Sequence, residues 1–483
     1  MLKTELTFRV ICPETRRFAL FSVTGVAIAR EPDWERRTRL CGRIWLEHNR
    51  ICMALEIRCP IHGFIKPSKW EIDVISHPVF QRLRRIRQLA WTDMVYPGSM
   101  HTRFEHSLGV MHTAGRIFED LRRRLPRQLQ DFGITKAGLE RDRIIVRLAA
   151  LLHDVGHAPF SHAGEDLLPV QDGSSNRFKH EHYSAALIRT LMTDVIDSHK
   201  ENENHGITAS KIADLIEGKT VNQREIFWRQ LISSQLDADR ADYLLRDSHH
   251  IGVRYGKYDL ERLIISLTVA RDPETDGPVL AVEYAGLHSA EALILARYMM
   301  FTQVYFHKTR VAFDKHVLET LKTLLADAQA GVSTFPPPTD EVNLNKYLGW
   351  TDWRVLGLLE AGKGGEHGNA LRARTHQRVL YETREIPSID ELTKIDNLLT
   401  ALKAEGLYAY VGYSRNSWYK YSADEIRILK GEANPSLVPL SELSTVVKGL
   451  SAHNQARIYV WPGDKTKAKG IEAKINKPDR EAA

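Results

Sequence analysis

Residues 143–162 read RIIVRLAALLHDVGHAPFSH. The segment Arg143–His153 is almost wholly apolar in its second half and reads as a buried helix; Pro159 breaks or kinks the chain soon after. His153 and Asp154 stand where that helix ends. A buried aspartate there needs a cationic partner, because an isolated buried charge costs on the order of several kcal/mol. Taken alone, the dipeptide reads better as a satisfied core histidine followed by a helix-terminal aspartate bonded to backbone. Three further histidines, His157, His162 and His180, follow at short range beside Gly156 and Pro159, a density that packing does not explain.

Upstream, Ile72, Ile75, Val79, Leu83, Ile86 and Leu89 recur at steps of three and four, which predicts one apolar stripe on a helical path. Arg82, Arg84, Arg85 and Arg87 are expected on its other faces. Pro97-Gly98 marks a turn. Thr102 and Glu105 have capping-box spacing, so a helix is expected to start at Thr102 with His106 in its first turn. Downstream, a further helical start is expected near Ser161, QDGSSNR (171–177) reads as a polar loop, and helices are expected over 182–192 and 233–248. A long helix, broken once, is expected from Ser289 to about Ala330. Asp239, Tyr243 and Asp247, at i, i+4 and i+8, share one helical face beside Arg240, Leu236 and Leu244. That face is either the wall of a polar pocket or a solvated surface with i,i+4 pairs. Histidine nitrogens and carboxylate oxygens on rigid helices are what a catalytic divalent metal requires.

A chain of 483 residues exceeds what one core usually serves. Four segments are expected: an N-terminal extension at 1–52, a catalytic domain at 53–362, a C-terminal α+β lobe at 363–461 and a Lys-rich tail at 462–483. STFPPPTD (333–340) reads as a stiff connector and GKGGEHGN (362–369) as a flexible boundary; LYAYVGY, WYKY and ARIYVW read as strands. No internal repeat is evident, and Met53 is a candidate true start. The net charge of +6, with a pI near 8.9, suits a polyanionic ligand without requiring one. No apolar run reaches the roughly 18 residues of a membrane span. Phe18–Ala29 only weakly resembles a secretory leader, given Glu5 and Glu14. The four cysteines, Cys12, Cys41, Cys52 and Cys59, fit no zinc spacing and cannot brace the main body, so a cytoplasmic location is expected.

His106, His153-Asp154 and Asp239 together resemble the H…HD…D signature of the HD phosphohydrolase superfamily. FQRLRRIRQL (80–89), YPGSMHTRFEHSLGV (96–110), HDVGHAPFSH (153–162), KHEH (179–182), DADRADYLLRDSHHIG (237–252) and VYFHK (304–308) resemble the deoxynucleoside triphosphate triphosphohydrolases. That branch includes the vertebrate enzyme joining a sterile-alpha-motif to an HD domain; no such motif is expected ahead of the catalytic part here. The resemblance runs from about Cys59 to Leu359 and more weakly beyond. It implies a mostly α fold, an HD-domain helical catalytic core with a smaller α+β C-terminal lobe, assembled as dimers or tetramers. It implies hydrolysis of a dNTP at the α-phosphorus to deoxynucleoside and triphosphate. By position, His106, His153, Asp154 and Asp239 would hold a divalent metal (Mg, Mn, Fe, Ni or similar), and His157, His162, Glu165 and His180 would orient water or shuttle protons. Arg103, Arg240, Arg297 and Lys308 would grip the triphosphate, while Gln88, Leu89, Tyr243, Asp247 and Tyr305 would line the sugar pocket.

The sequence also departs from that branch. Glu165 replaces an aspartate. At the vertebrate activator site Ser76 replaces an aspartate, and Arg58 and Cys59 replace an asparagine and an aspartate, while Gln81 and Arg84 remain. Activation by GTP of the vertebrate kind is therefore not expected, and another activator or none stays open. Two rivals remain at this level: an HD enzyme for another nucleotide or phosphate ester, and a nucleotide sensor or nucleic-acid-binding protein suggested by the 82–87 arginines and the Lys-rich tail.

Overall fold

The computed structural model describes residues 8–11 and 18–21 and, between 55 and 475, all but 221, 415–424, 432–434 and 451–452. The chain divides into two compact units, 1–55 and 56–483. In the first, strands β1 (Phe8–Ile11) and β2 (Phe18–Phe21) pair antiparallel. Cys12, Cys41, Cys52, Met53, the WYKY segment and the last eight residues of the tail lie outside the described residues. Among the described residues, no helix is long and apolar enough to cross a membrane.

The second unit is predominantly helical. Its central helices are α1 (Arg103–Arg124), α2 (Lys136–Leu152), α3 (His180–Leu191), α4 (Ala209–Glu217) and α5 (Ala238–Ile251). Helix α1 packs along α2 and α5, and α3 packs on α4 and so joins α2. Thr102 caps α1 as expected, its backbone N–H donating to Glu105 at 3.1 Å. Helix α5 begins at Ala238, later than expected, because Asp237 turns its carboxylate to the backbone N–H groups of Ser234 and Arg240 and acts as the N-cap. The long downstream helix is indeed broken once. Helix α6 (Leu287–Met300) runs into a π-helical turn at Phe301–Tyr305, and α7 (Lys308–Ala328) restarts after Phe306-His307.

Two expectations fail between residues 69 and 89. The helical path is interrupted: Lys69–Ser76 is α-helical, but His77 is extended, as a residue before proline tends to be, and Arg82–Arg85 is only a 3-10 turn. The apolar positions Ile75, Val79, Leu83, Ile86 and Leu89 are buried all the same. The four arginines do not share an outer face. Arg82 is buried, donating to the carbonyl oxygens of His157 at 2.9 Å and Trp350 at 2.8 Å. Arg84 lies over the Phe104 ring, and Arg87 pairs with Asp93 at 3.0 Å.

Beyond α5, strands β3 (Leu267–Arg271) and β4 (Pro278–Glu283) form an antiparallel pair. The loop at 362–364 is shorter than expected, since Gly365–Ala373 is helical. An antiparallel sheet of β5 (Arg378–Glu382), β6 (Ala409–Tyr413) and β9 (Ala456–Val460), with β9 central, packs on the helix Ile389–Ala404 around Ile395, Leu398, Ala456 and Ile458. Between β6 and β9 the chain returns to the helical body: β7 (Arg427–Lys430) pairs parallel with β4, and β8 (Ser436–Pro439) pairs antiparallel with β7. Of the tail, Lys465–Ile475 is helical.

Arg82→Leu should leave two buried carbonyl groups without a donor and lower stability by about 2–3 kcal/mol. Urea unfolding of the variant should show a lower midpoint; an unchanged midpoint would contradict this role.

Candidate active site

Three chain segments meet at one point. His106 lies in the first turn of α1, Asp239 in the first turn of α5, and His153-Asp154 directly follows α2. Nε2 of His106 is 3.0 Å from Asp239 and 3.6 Å from Asp154. Nε2 of His153 is 3.2 Å from Asp154 and 3.8 Å from Asp239. Asp239 is the member most open to the cavity, its side chain 36% exposed, whereas the other three are buried.

The outer nitrogens explain how these rings are held. Nδ1 of His106 is 2.8 Å from Asp242, and Nδ1 of His153 is 2.8 Å from the Ala150 carbonyl oxygen, so each carries its proton there. Each Nε2 is turned toward the carboxylates, and that of His153 is buried without a hydrogen-bond partner. Imidazoles oriented through an outer carboxylate or carbonyl, with carboxylate oxygens close by, are a donor set that fits a divalent metal. The candidate ligand atoms of His106, His153 and Asp154 all lie within 4.8 Å of one another. Burial opposes charge on His106, but Asp239 and Asp242 outweigh it and raise its pKa to about 10. Burial likewise works against ionised Asp154, yet Arg103, 2.5 Å away, and the adjoining histidines hold it well below the usual carboxylate range.

A second group adjoins the first. His157 is 3.2 Å from Asp154 and stacks on His180, with ring centroids 3.8 Å apart. Nδ1 of His180 is 2.5 Å from Glu165, which also reaches Nδ1 of His162 at 2.9 Å. Burial, with Arg103 and His180 nearby, pushes His157 well below its ordinary value. Burial acts the same way on His180, but the Glu165 hydrogen bond and charge reverse it and lift His180 to about 9. The arrangement therefore holds a neutral imidazole against a protonated one.

Both groups face a cavity of about 900 Å³ lined by Gln88, Leu89, Arg103, Arg240, Tyr243, Asp247, Arg297 and Tyr305, together with His153, Asp154, His157, His162, His180 and Asp239. His106 and Glu165 are not among the lining residues; Glu165 bonds two histidines that are. Lys308 is exposed at the start of α7 and is not among the lining residues; Arg310, two residues further along the same helix, is. Arg103 is directed to Asp154 and to Ser161 Oγ at 2.7 Å. Arg240 pairs with Asp237 at 2.9 Å. Asp247 bonds His101 at 2.8 Å and accepts the Tyr305 hydroxyl at 2.7 Å, fixing that ring.

Sequence reasoning missed several residues. Asp242, three positions after Asp239, is fully buried between His106, His62 and Arg246; its i+3 spacing was the available signal. Phe160 and Ser161 adopt positive φ angles of 57° and 55° beside the site, held by Asp352, which accepts the Phe160 N–H at 2.8 Å, and by the Ser161 hydroxyl, which donates to the Arg87 carbonyl. At the positions matching the vertebrate activator site, the altered Ser76 donates to its own helix at Ile72, and the unchanged Arg84 bonds the unchanged Gln81. The Cys59 sulfur is buried, 3.4 Å from Arg246.

The HD domain family matches residues 103–247, and the HD associated region matches 258–398. The chain is 35% identical over 427 residues to the uncharacterized protein YwfO of Bacillus subtilis, covering 84% of this chain and 91% of that one. It is 33% identical over 285 residues to the deoxynucleoside triphosphate triphosphohydrolase SAMHD1 homolog of Dictyostelium discoideum, covering 58% of this chain and 50% of that one. The crystal structure of a phosphohydrolase from Bacteroides thetaiotaomicron superposes with a TM-score of 0.64 at 26% identity, covering 84% of this chain and 99% of that one. Apart from the Bacillus protein, the first relatives are matched over about half their own length.

Asp154→Ala or Asp239→Ala should remove bound divalent metal, and Asp242→Asn should weaken its affinity by about 10–100-fold. Metal content after dialysis, by mass spectrometry on folded protein, checks this; full occupancy in all three variants would overturn the ligand set.

Proposed function

This chain belongs to the HD-domain phosphohydrolases, and on that premise we propose that it hydrolyses deoxynucleoside triphosphates to deoxynucleosides and inorganic triphosphate, with His106, His153, Asp154 and Asp239 as metal ligands. The observation that carries the reading is the joining, in one cavity, of a metal-fitting donor set, a protonated His180 and the cations Arg240 and Arg297. The relatives that bear the triphosphohydrolase name add support.

A divalent ion bound there would polarise a phosphoryl oxygen and lower the pKa of water. The residues supply the rest. Water adds to the α-phosphorus and the bond from phosphorus to O5′ breaks, so the triphosphate leaves with the new oxygen and O5′ needs a proton. His180 is suited to donate it: Nδ1 is bound to Glu165, which leaves Nε2–H as the transferable proton. Neutral His157, bonded to Asp154, is suited to orient the water or accept its proton. Arg240 and Arg297 would meet the polyphosphate, a role in which guanidinium groups bind oxygens two at a time. Gln88, whose Oε1 is buried without a partner, and Tyr305, fixed by Asp247, would bound the sugar.

Ion-exchange analysis of products from the four dNTPs and matching rNTPs, in manganese or magnesium, tests the reaction. Triphosphate with deoxynucleosides is expected; monophosphate with pyrophosphate would keep the hydrolase and discard this specificity. His180 is protonated below about 9 and loses its proton as pH rises through that value. Activity should therefore decline on the alkaline side near pH 9. Glu165→Gln removes the carboxylate that raises His180, so the decline should move toward the ordinary histidine value of 6.5. A pH profile whose alkaline limb stays in place in Glu165→Gln would rule out His180 as the acid.

A further inference from the structure

The cavity wall also carries charged groups that the reaction above leaves unused. Arg310 and Asp314, one turn apart on α7, both line it. Their facing atoms stand 3.7 Å apart, beyond hydrogen-bond reach. Arg310 Nε and Asp314 Oδ1 are buried without partners, although Arg310 is anchored by donating to the Tyr305 carbonyl. Burial pushes Asp314 above its ordinary value, against the pull of Arg310 and His162. The two side chains, 12% and 26% exposed, are close enough for charge attraction but too far apart to bond each other, so their accessible atoms keep hydrogen-bonding capacity for a ligand.

The surroundings select the kind of ligand. Phe301, Phe306, Val311 and Tyr413 line the same cavity, and Phe306 directly follows the Tyr305 carbonyl that holds Arg310. Strand β6 lies against Val311, to which a Cβ on Gly412 would come within 3.0 Å. Aromatic walls suit a flat base, since base–aromatic stacking tolerates any ring. A phosphate beside Arg310 would also meet the Asp314 carboxylate, which disfavours a polyanion there.

Resting on the deoxynucleotide reading above, we propose that Arg310 and Asp314 read the base edge and select guanine. Guanine presents an acceptor, O6, followed by two donors, N1–H and the N2 amino group. A guanidinium N–H meets the first, and the two carboxylate oxygens accept from the others. Adenine and cytosine place a ring-nitrogen lone pair where the carboxylate needs a donor. Thymine follows its single N–H with a second carbonyl, which the carboxylate repels.

Titration calorimetry of the full chain with each of the four dNTPs, in calcium, tests the assignment independently of turnover. Wild type should bind dGTP about tenfold or more tighter than dATP, because a site built for hydrogen bonds discriminates against bases that leave its groups unpaired. Asp314→Asn and Arg310→Gln should each reduce that ratio about tenfold or more while thermal unfolding confirms a folded chain. Equal binding or no binding of the four nucleotides by wild type, or a ratio that neither variant changes, overturns the proposal. Failure to hydrolyse a nucleotide that still binds with guanine preference would count against the reaction and not against the base reader.

Discussion

The site depends on how closely two helices can cross. A Cβ at Gly109 of α1 would stand 1.9 Å from the Asp242 carboxylate and 2.3 Å from the Arg246 guanidinium on α5. Only glycine leaves that room. The space admits a fully buried carboxylate, which holds His106, His62 and Arg246 together and turns the inner nitrogen of His106 toward Asp239 and Asp154. A second close approach sets the proton-handling group. At Gly156 a Cβ would lie 2.2 Å from the Ser184 nitrogen and 2.3 Å from the His180 carbonyl oxygen. The turn after His153 can therefore rest directly on the start of α3, which brings His157 onto His180.

That crowding concentrates negative charge where burial makes it expensive. Asp154 is met by Arg103 and Asp242 by Arg246, both at hydrogen-bonding distance. Asp239, partly open to the cavity, is faced by His106 and His153, which hold it below the usual carboxylate range. Buried ion pairs contribute little net stability against a well-packed apolar alternative. Their presence accords with the proposed ligand geometry, in which each arginine keeps one carboxylate ionised and Asp239 would share a cation.

Much of this was legible in the sequence where the signal is local. The cap at Thr102, the apolar run into His153 and the i, i+4, i+8 face of Asp239, Tyr243 and Asp247 depend on neighbours within one or two turns. The failures have a different origin. Pro78 extends His77 and ends a stripe whose period alone reads as continuous. Arg82 looks like a surface charge until the carbonyl groups of His157 and Trp350, 75 and 268 positions away, are brought to it. The parallel pairing of Val282 with Ile428 leaves no local trace at all. At the cavity, Lys308 was expected from the resemblance alone; it opens α7 as an exposed residue, and Arg310 lines the wall.

The division between acid and base follows from stacking. Two imidazolium rings 3.8 Å apart would repel, so of His157 and His180 one has to be neutral. The neighbours decide which. On one side Arg103 stands behind Asp154 and disfavours a second positive charge on His157. On the other Glu165 bonds His180 directly. The longer side chain of glutamate, set against the aspartate of the vertebrate branch, also reaches His162, which is 64% exposed at the cavity rim. One carboxylate thus bridges a buried histidine and an exposed one.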